Sequence, residues 1–117
     1  MDKKIKTYQR FILDFLNEYA AKMNQHKEFH AYVLADKEKH HYQLVRTGWR
    51  GKQRIHTIPF HFDIIEGKIW LQLNNTDIDL DAVFDKAGIP KKDIVLAWHR
   101  DYLRKRADYE YGVPLSQ

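Results

Sequence analysis

The sequence predicts an α+β fold: an N-terminal amphipathic helix packed on a mostly antiparallel β-meander sheet, then a short helix, a further strand and a basic C-terminal segment. Three observations predict it. Ile5, Tyr8, Phe11, Ile12, Phe15, Leu16, Tyr19 and Met23 recur in steps of three and four, which makes one face of a helix apolar. From His40 to Leu73, three runs rich in β-branched and aromatic residues are separated by the turn signals Arg50-Gly51-Lys52-Gln53 and Glu66-Gly67. Helical spacing then returns at Leu80, Val83, Phe84 and Ala87.

Asp2 is the expected N-cap of the first helix, which no Gly or Pro interrupts and which ends near Met23 to Gln25. Glu28 to Ala35 reads as a first strand, closed by the charged turn Asp36-Lys37-Glu38-Lys39. In the second strand, His40 to Trp49, Tyr42 and Leu44 share one side; Gln43, Val45, Thr47 and Trp49 share the other. In the third, Ile58, Phe60, Phe62 and Ile64 line one face, and Thr57, Pro59, His61 and Asp63 the opposite one. Pro59 has no N–H to give to a ladder, so this strand is at an edge or bulged there. Ile69, Leu71 and Leu73 then join the apolar face and leave Trp70 and Gln72 opposite.

This parity gives the sheet two unlike faces. Leu44, Ile58, Phe60, Phe62, Ile69 and Leu71 form the one assigned to the helix. The other mixes Trp49, His61, Asp63, Trp70 and Gln72, and the C-terminal segment or another chain is expected to cover part of it. Thr76 and Asp79 have capping-box spacing ahead of the short helix, and Gly88 followed by Pro90 stops it. Ile94 to Trp98 reads as a buried strand, far enough from Leu73 for a crossover to a parallel neighbour. Beyond His99, part of the tail is expected to be helical or docked, and Val113 to Gln117 loose.

A chain of 117 residues corresponds to one domain, residues 1–117, large enough to form a core without staples. It has no cysteine, which removes disulfides, thiolate nucleophiles and cysteine-ligated zinc. No apolar run approaches the ~20 residues that span a bilayer, and Met1-Asp2-Lys3-Lys4 leads into no apolar signal region. A cytoplasmic protein without a membrane partner is expected. From Lys91 to Arg106, six basic residues face two aspartates, an excess equal to the whole net charge of +4. A solvated face is the plain reading. The alternative is charge-driven contact with DNA phosphates through Arg100, Arg104, Lys105 and Arg106, with no element shaped to read base edges.

Seven histidines invite a metal site. His40 and His41 are adjacent and point to opposite faces; His56 and His61, five apart, do the same. That leaves His61 and Asp63 on one face at i, i+2, and two ligands do not close a first-row metal site. The expectation is a hydrogen-bonded pair, with no metal and no cofactor. A Gly-rich phosphate loop, H-E-x-x-H and a nucleophile elbow are absent, so a non-enzyme is expected. An active site centred on His61 and Asp63 is the alternative. Trp49, Trp70 and Trp98 read as core residues with a polar handle. In the sharper reading Trp49 and Trp70 lie side by side and, with His61 and Asp63, anchor a partner.

The segments H-Y-Q-L-V-R-T-G-W from His41, R-I-H from Arg54, H-F-D-I from His61, G-K-I-W-L-Q from Gly67 and G-I-P-K-K-D-I-V-L from Gly88 occur in that order. In order and spacing the chain resembles the XisI family, the fdxN element excision controlling factors of cyanobacteria. It departs from the family at Asn74-Asn75-Thr76, where an Asp-Gly-Thr-like turn is expected, and at His99 to Tyr102, where relatives carry prolines. The resemblance implies a small non-enzymatic accessory protein acting with a XisH-type partner. In the family's namesake role the pair controls a site-specific recombinase that excises a DNA element during heterocyst development. A paralogue with another task, and a homo-oligomer, stay open. The resemblance brings no catalytic residues. Its recurring positions here are Trp49, Arg54, His56, His61, Asp63, Trp70, Asp93 and Arg104, serving an interaction surface or the fold.

Overall fold

A computed structural model describes residues 3–114. Asp2, the expected N-cap, and residues 115–117 of the expected loose end lie outside them. The chain forms α1 (Lys3–Met23), β1 (Phe29–Asp36), β2 (His41–Arg50), β3 (Gln53–Ile65), β4 (Lys68–Asn74), α2 (Leu80–Lys86), a 3-10 turn (Lys91–Asp93), β5 (Ile94–Leu96) and α3 (Asp101–Arg104). The strands make one sheet in the order β1-β2-β3-β4-β5. The first four are antiparallel neighbours, and β5 runs parallel to β4 after the connection through α2. No helix among the described residues is long and apolar enough to cross a membrane.

The α1 stripe covers the face assigned to it. Ile12 and Leu16 are fully buried, with Tyr8 and Ala20 nearly so, against Tyr42, Leu44, Phe60, Phe62, Ile69 and Leu71. The Phe15 ring meets Phe60 edge-on at 5.1 Å, and Tyr19 meets the same ring at 5.1 Å from the next turn. Such contacts are worth roughly 0.5–1.5 kcal/mol each beyond their buried area. Asp93 fastens the helix start to the start of β5. Its carboxylate accepts the Tyr8 hydroxyl and lies 3.0 Å from Lys4 Nζ.

Pro59 lies in the central strand, and the strand is bulged there. Leu44 pairs with Phe60 but Arg46 pairs with Thr57, so Ile58 and Pro59 together oppose Val45. The bulge resets the alternation upstream of it. Thr57, expected on the second face, shares the helix side with Arg46, whose guanidinium stacks over Phe29 at 5.1 Å. Ile58, expected on the helix side, is only partly buried and stands outside the main core. A second bulge in β4 pairs Leu73 with His61 while Leu71 pairs with Phe62, which takes Leu73 off the apolar face.

The turns follow their backbone chemistry. Glu66 and Gly67 both have positive φ, 53° and 75°, as a tight two-residue hairpin requires. The cap of α2 is Asp79, whose carboxylate accepts Asp81 N–H and Ala82 N–H; Thr76 instead bonds Asn74, so the expected capping box does not form. Asn74 organises that turn by accepting from Thr76 and donating to the Ile78 carbonyl, the donation being one that an Asp in its place could not make. At the other end Gly88 N–H bonds the Asp85 carbonyl and Ile89 N–H the Phe84 carbonyl, with Ile89 buried in the same cluster as Phe84.

Both sheet edges are managed. The Asn24 side chain donates to the Ala31 carbonyl and accepts its N–H, standing in for a neighbour of β1. On the far edge Gly112 N–H bonds the Ile94 carbonyl at 2.7 Å. A Cβ at Gly112 would sit 2.6 Å from the Lys92 carbonyl oxygen, so the returning tail needs glycine to come this close.

Gly48 is the tightest point of the meander: a Cβ there would meet the Glu28 carbonyl oxygen at 2.1 Å, and its φ is +155°. Gly48→Ala is expected to cost about 2–4 kcal/mol in urea denaturation, by clash and backbone strain together; an unchanged midpoint would contradict this packing. The hydroxyls of Tyr8 and Tyr111 are pushed up by burial and by hydrogen bonds to Asp93 and Asp81, and that of Tyr42 by burial. Folding thus favours the neutral phenols. Their stabilisation is complete below the ordinary value near 10 and is lost as pH rises through the raised folded values. Ultraviolet titration of the folded protein is expected to show a late-ionising group of tyrosines, with one step lost in Tyr8→Phe; a single transition at the ordinary value would refute the assignment.

Candidate functional site

The face of the sheet away from α1 is built in cross-strand rows. Register aligns Asp36, His41, Asp63, Trp70 and Val95 in one row, and Leu34, Gln43, His61 and Leu73 in the next. Tyr32 and Val45 follow, then His30, Thr47 and His56, and finally Trp49 with Arg54 at the hairpin tip. His56, expected opposite His61, shares its face because the Pro59 bulge inserts one residue between them.

Asp63 is the centre of a polar network and, among the described residues, the one buried charged side chain, 6% exposed. Its Oδ1 lies 2.8 Å from His41 Nδ1 and 2.8 Å from His61 Nε2, and its Oδ2 accepts Gln72 Nε2 at 3.0 Å. Gln43 Nε2 lies 3.2 Å from His61 Nδ1. A consistent proton assignment follows: Gln43 donates to Nδ1 of His61, whose Nε2–H then donates to Asp63. Each lone pair the carboxylate turns inward thus finds a donor, which a buried anion requires. Beside the His41 ring a shallow hollow of about 290 Å3 is lined by Leu34, Ala35, Asp36, His41 and Gln43. The Asp36 carboxylate is held below the usual range by backbone N–H donation from Lys39, with Glu38 assisting.

Sequence reasoning placed His61 and Asp63 together and they are together. It missed His41, whose parity with Gln43 marked its face but whose partner depends on the β2–β3 register. It likewise named neither Gln43 nor Gln72 as a functional group. Trp49 and Trp70 share the face but are not side by side. Trp49 lies eight residues along β2 from the His41 row, about 27 Å in an extended strand, while Trp70 belongs to that row. Trp49 is 51% exposed with the Arg54 guanidinium 5.4 Å from its ring; Trp70 is half-buried. Tyr32 and Leu34, which the sequence did not single out, are 38% and 51% exposed on the same face.

The basic segment is not one free patch. The Arg104 guanidinium turns inward and donates to the Leu96 carbonyl at 3.0 Å, closing the end of β5. Arg106 pairs with Asp108 at 3.3 Å and Lys91 with Glu110 at 3.1 Å. Arg100 and Lys105 are exposed. His99, Tyr109 and Tyr111 pack their rings 5.7–6.3 Å apart, with a 3.1 Å contact between His99 Nδ1 and the Tyr109 hydroxyl. The tail is therefore docked through an aromatic cluster up to Gly112. On the helix side, a groove of about 560 Å3 between α1 and α2 has an apolar floor of Phe11, Phe15, Ile78 and Val83.

The family model described as XisI protein matches residues 1–111. The crystal structure of a XisI-like protein from Anabaena variabilis ATCC 29413 is similar, with 36% identity, a TM-score of 0.81, and coverage of 94% of this chain and 99% of that one. The structure of the fdxN element excision controlling factor XisI from the same strain shares 27% identity, with a TM-score of 0.73 over 94% of this chain and 98% of that one. No curated protein matches the chain. The matched family model spans both the helix that builds the core and the strands that carry the Asp63 network, so this chain belongs to the XisI protein family.

Proposed function

We propose that this protein is a non-enzymatic accessory factor that controls excision of a DNA element by binding a XisH-type protein through the open face of its sheet. The observation that carries the reading is the asymmetry of the sheet. One side is closed by α1, while the other presents Tyr32 and Leu34 near the Asp63 network and Trp49 at the far hairpin tip, each at least 38% exposed. Large apolar groups spread over a rigid face with a satisfied polar centre suit a protein interface, where a few aromatic and aliphatic anchors dominate the energy. Family membership and the excision-controlling factor among the similar structures support the process; the XisH-type partner is what the family resemblance implies.

Two features favour this over the alternatives. Arg104 and Arg106 spend their guanidinium groups on Leu96 and Asp108, which weakens the case for a phosphate-binding stripe. The hydrogen-bond partners of Asp63 are two histidines and a glutamine, an arrangement that holds the carboxylate rather than aiming a nucleophile.

Co-expression with the XisH-type protein of the same host is expected to yield a complex that survives gel filtration at micromolar concentration; separate elution of the two chains would end the proposal. Leu34→Glu and Trp49→Ala are expected to weaken it by about 2 kcal/mol each, roughly 30-fold in Kd. Both positions are exposed, so the isolated variants should unfold within about 0.5 kcal/mol of the parent. Unaltered affinity in both variants would move the interface to another surface.

A further inference from the structure

We infer that His41, His61 and Asp63 form a binding site for a divalent transition-metal cation of the zinc class on the open face of the sheet. One ligand atom from each of His41, His61 and Asp63 lies within 4.8 Å of the other two, and His41 Nδ1 and His61 Nε2 are the nitrogens that face Asp63. Two imidazoles and one carboxylate are a complete three-residue donor set for a cation of borderline softness, with room for water or another ligand to finish the shell. Magnesium and calcium are poor matches, because they take oxygen ligands.

The scaffold favours the site. His41 and Asp63 are direct cross-strand partners, and His61 stands two residues from Asp63 on the same strand and face, so the sheet itself holds the three groups in place. In the hydrogen-bonded arrangement each histidine nitrogen is 2.8 Å from Asp63 Oδ1. Ligand atoms about 2.1 Å from a tetrahedral cation stand roughly 3.4 Å apart, so loading requires a modest opening. The His41 side chain is 55% exposed and free to supply it. The supporting groups are in place as well: Gln72 fixes the second Asp63 oxygen at 3.0 Å and Gln43 reaches the far nitrogen of His61 at 3.2 Å. When His61 Nε2 gives its lone pair to a cation, its proton moves to Nδ1. Gln43 then serves as acceptor by turning its amide over, without displacement of the strand. The hollow borders the His41 ring and Gln43, on the exposed side of the cluster.

The inference concerns the isolated chain and does not depend on the partner proposed above. The test is titration of chelator-treated protein with Co2+, followed by its visible ligand-field absorption, with Zn2+ in competition and thermal unfolding in parallel. The expected result is one equivalent bound, a band displaced by Zn2+, and a rise in Tm with either metal. His61→Ala should abolish the band, and His41→Ala should weaken binding by at least about tenfold. His26→Ala and His30→Ala should leave it unchanged. Because His41 is exposed, its variant keeps the fold, and circular dichroism before titration verifies this. Absence of the band at millimolar Co2+, or unchanged affinity in His41→Ala or His61→Ala, would overturn the assignment.

Discussion

Proline at position 59 cannot donate a hydrogen bond, and it stands in the central strand of the sheet, with a neighbour on both sides. The sheet absorbs it by setting Ile58 and Pro59 together against Val45, while the Pro59 carbonyl still accepts Asn75 N–H at 2.8 Å. Everything placed on β3 depends on that extra residue. Downstream of it, Phe60, Phe62 and Ile64 keep the helix side and His61 and Asp63 the open side. Upstream, the parity inverts and brings Thr57 under α1 and His56 out beside Thr47. A side chain period of two leaves no intermediate solution: an insertion either moves a face or is compensated.

This explains which parts of the molecule were legible in the sequence. The helix was, because its apolar spacing over five turns has no other reading. The downstream half of the meander was, because Phe60, Phe62 and Ile64 alternate without interruption. Pro59 announced either an edge or a bulge, and sequence alone had no means to choose. Choosing wrongly on parity placed Ile58, Thr57 and His56 on the wrong faces, and the smaller bulge in β4 did the same for Leu73. The site was half legible for a related reason. His61 and Asp63 are two apart on one strand, which composition displays directly. His41 joins them only when the hairpin at Gly51 and the bulge at Ile58 and Pro59 fix which residue of β2 faces Asp63.

The basic C-terminal run shows the opposite failure. Its charge was plain in the sequence, but charge does not say where a long side chain ends. Arg104 folds back to a carbonyl at the end of β5, and Arg106 and Lys91 meet carboxylates nearby. Asp93, at the other end of β5, ties the first turn of α1 to the sheet through Tyr8 and Lys4. Asp93 and Arg104 thus secure the two ends of the short, fully buried parallel strand. His61, Asp63, Trp49 and Trp70 have a different setting, since none of them lies under α1.

That difference bears on why the open face is built as it is. A carboxylate at 6% exposure loses most of its hydration, and only joint replacement of Asp63 and its partners by apolar residues would remove this cost, since Asp63 alone cannot go without stranding His61 and Gln72. The fold instead surrounds Asp63 with His41, His61 and Gln72, and adds Gln43 to hold one of the histidines. Such a network contributes little that simple packing could not, yet it fixes the orientation of two imidazoles to within a hydrogen bond on a surface where Leu34 and Trp49 remain exposed. Stability of the monomer accounts for the apolar side of this sheet. The polar centre of the other side instead holds two imidazoles against one buried carboxylate oxygen, at the expense of that carboxylate's hydration.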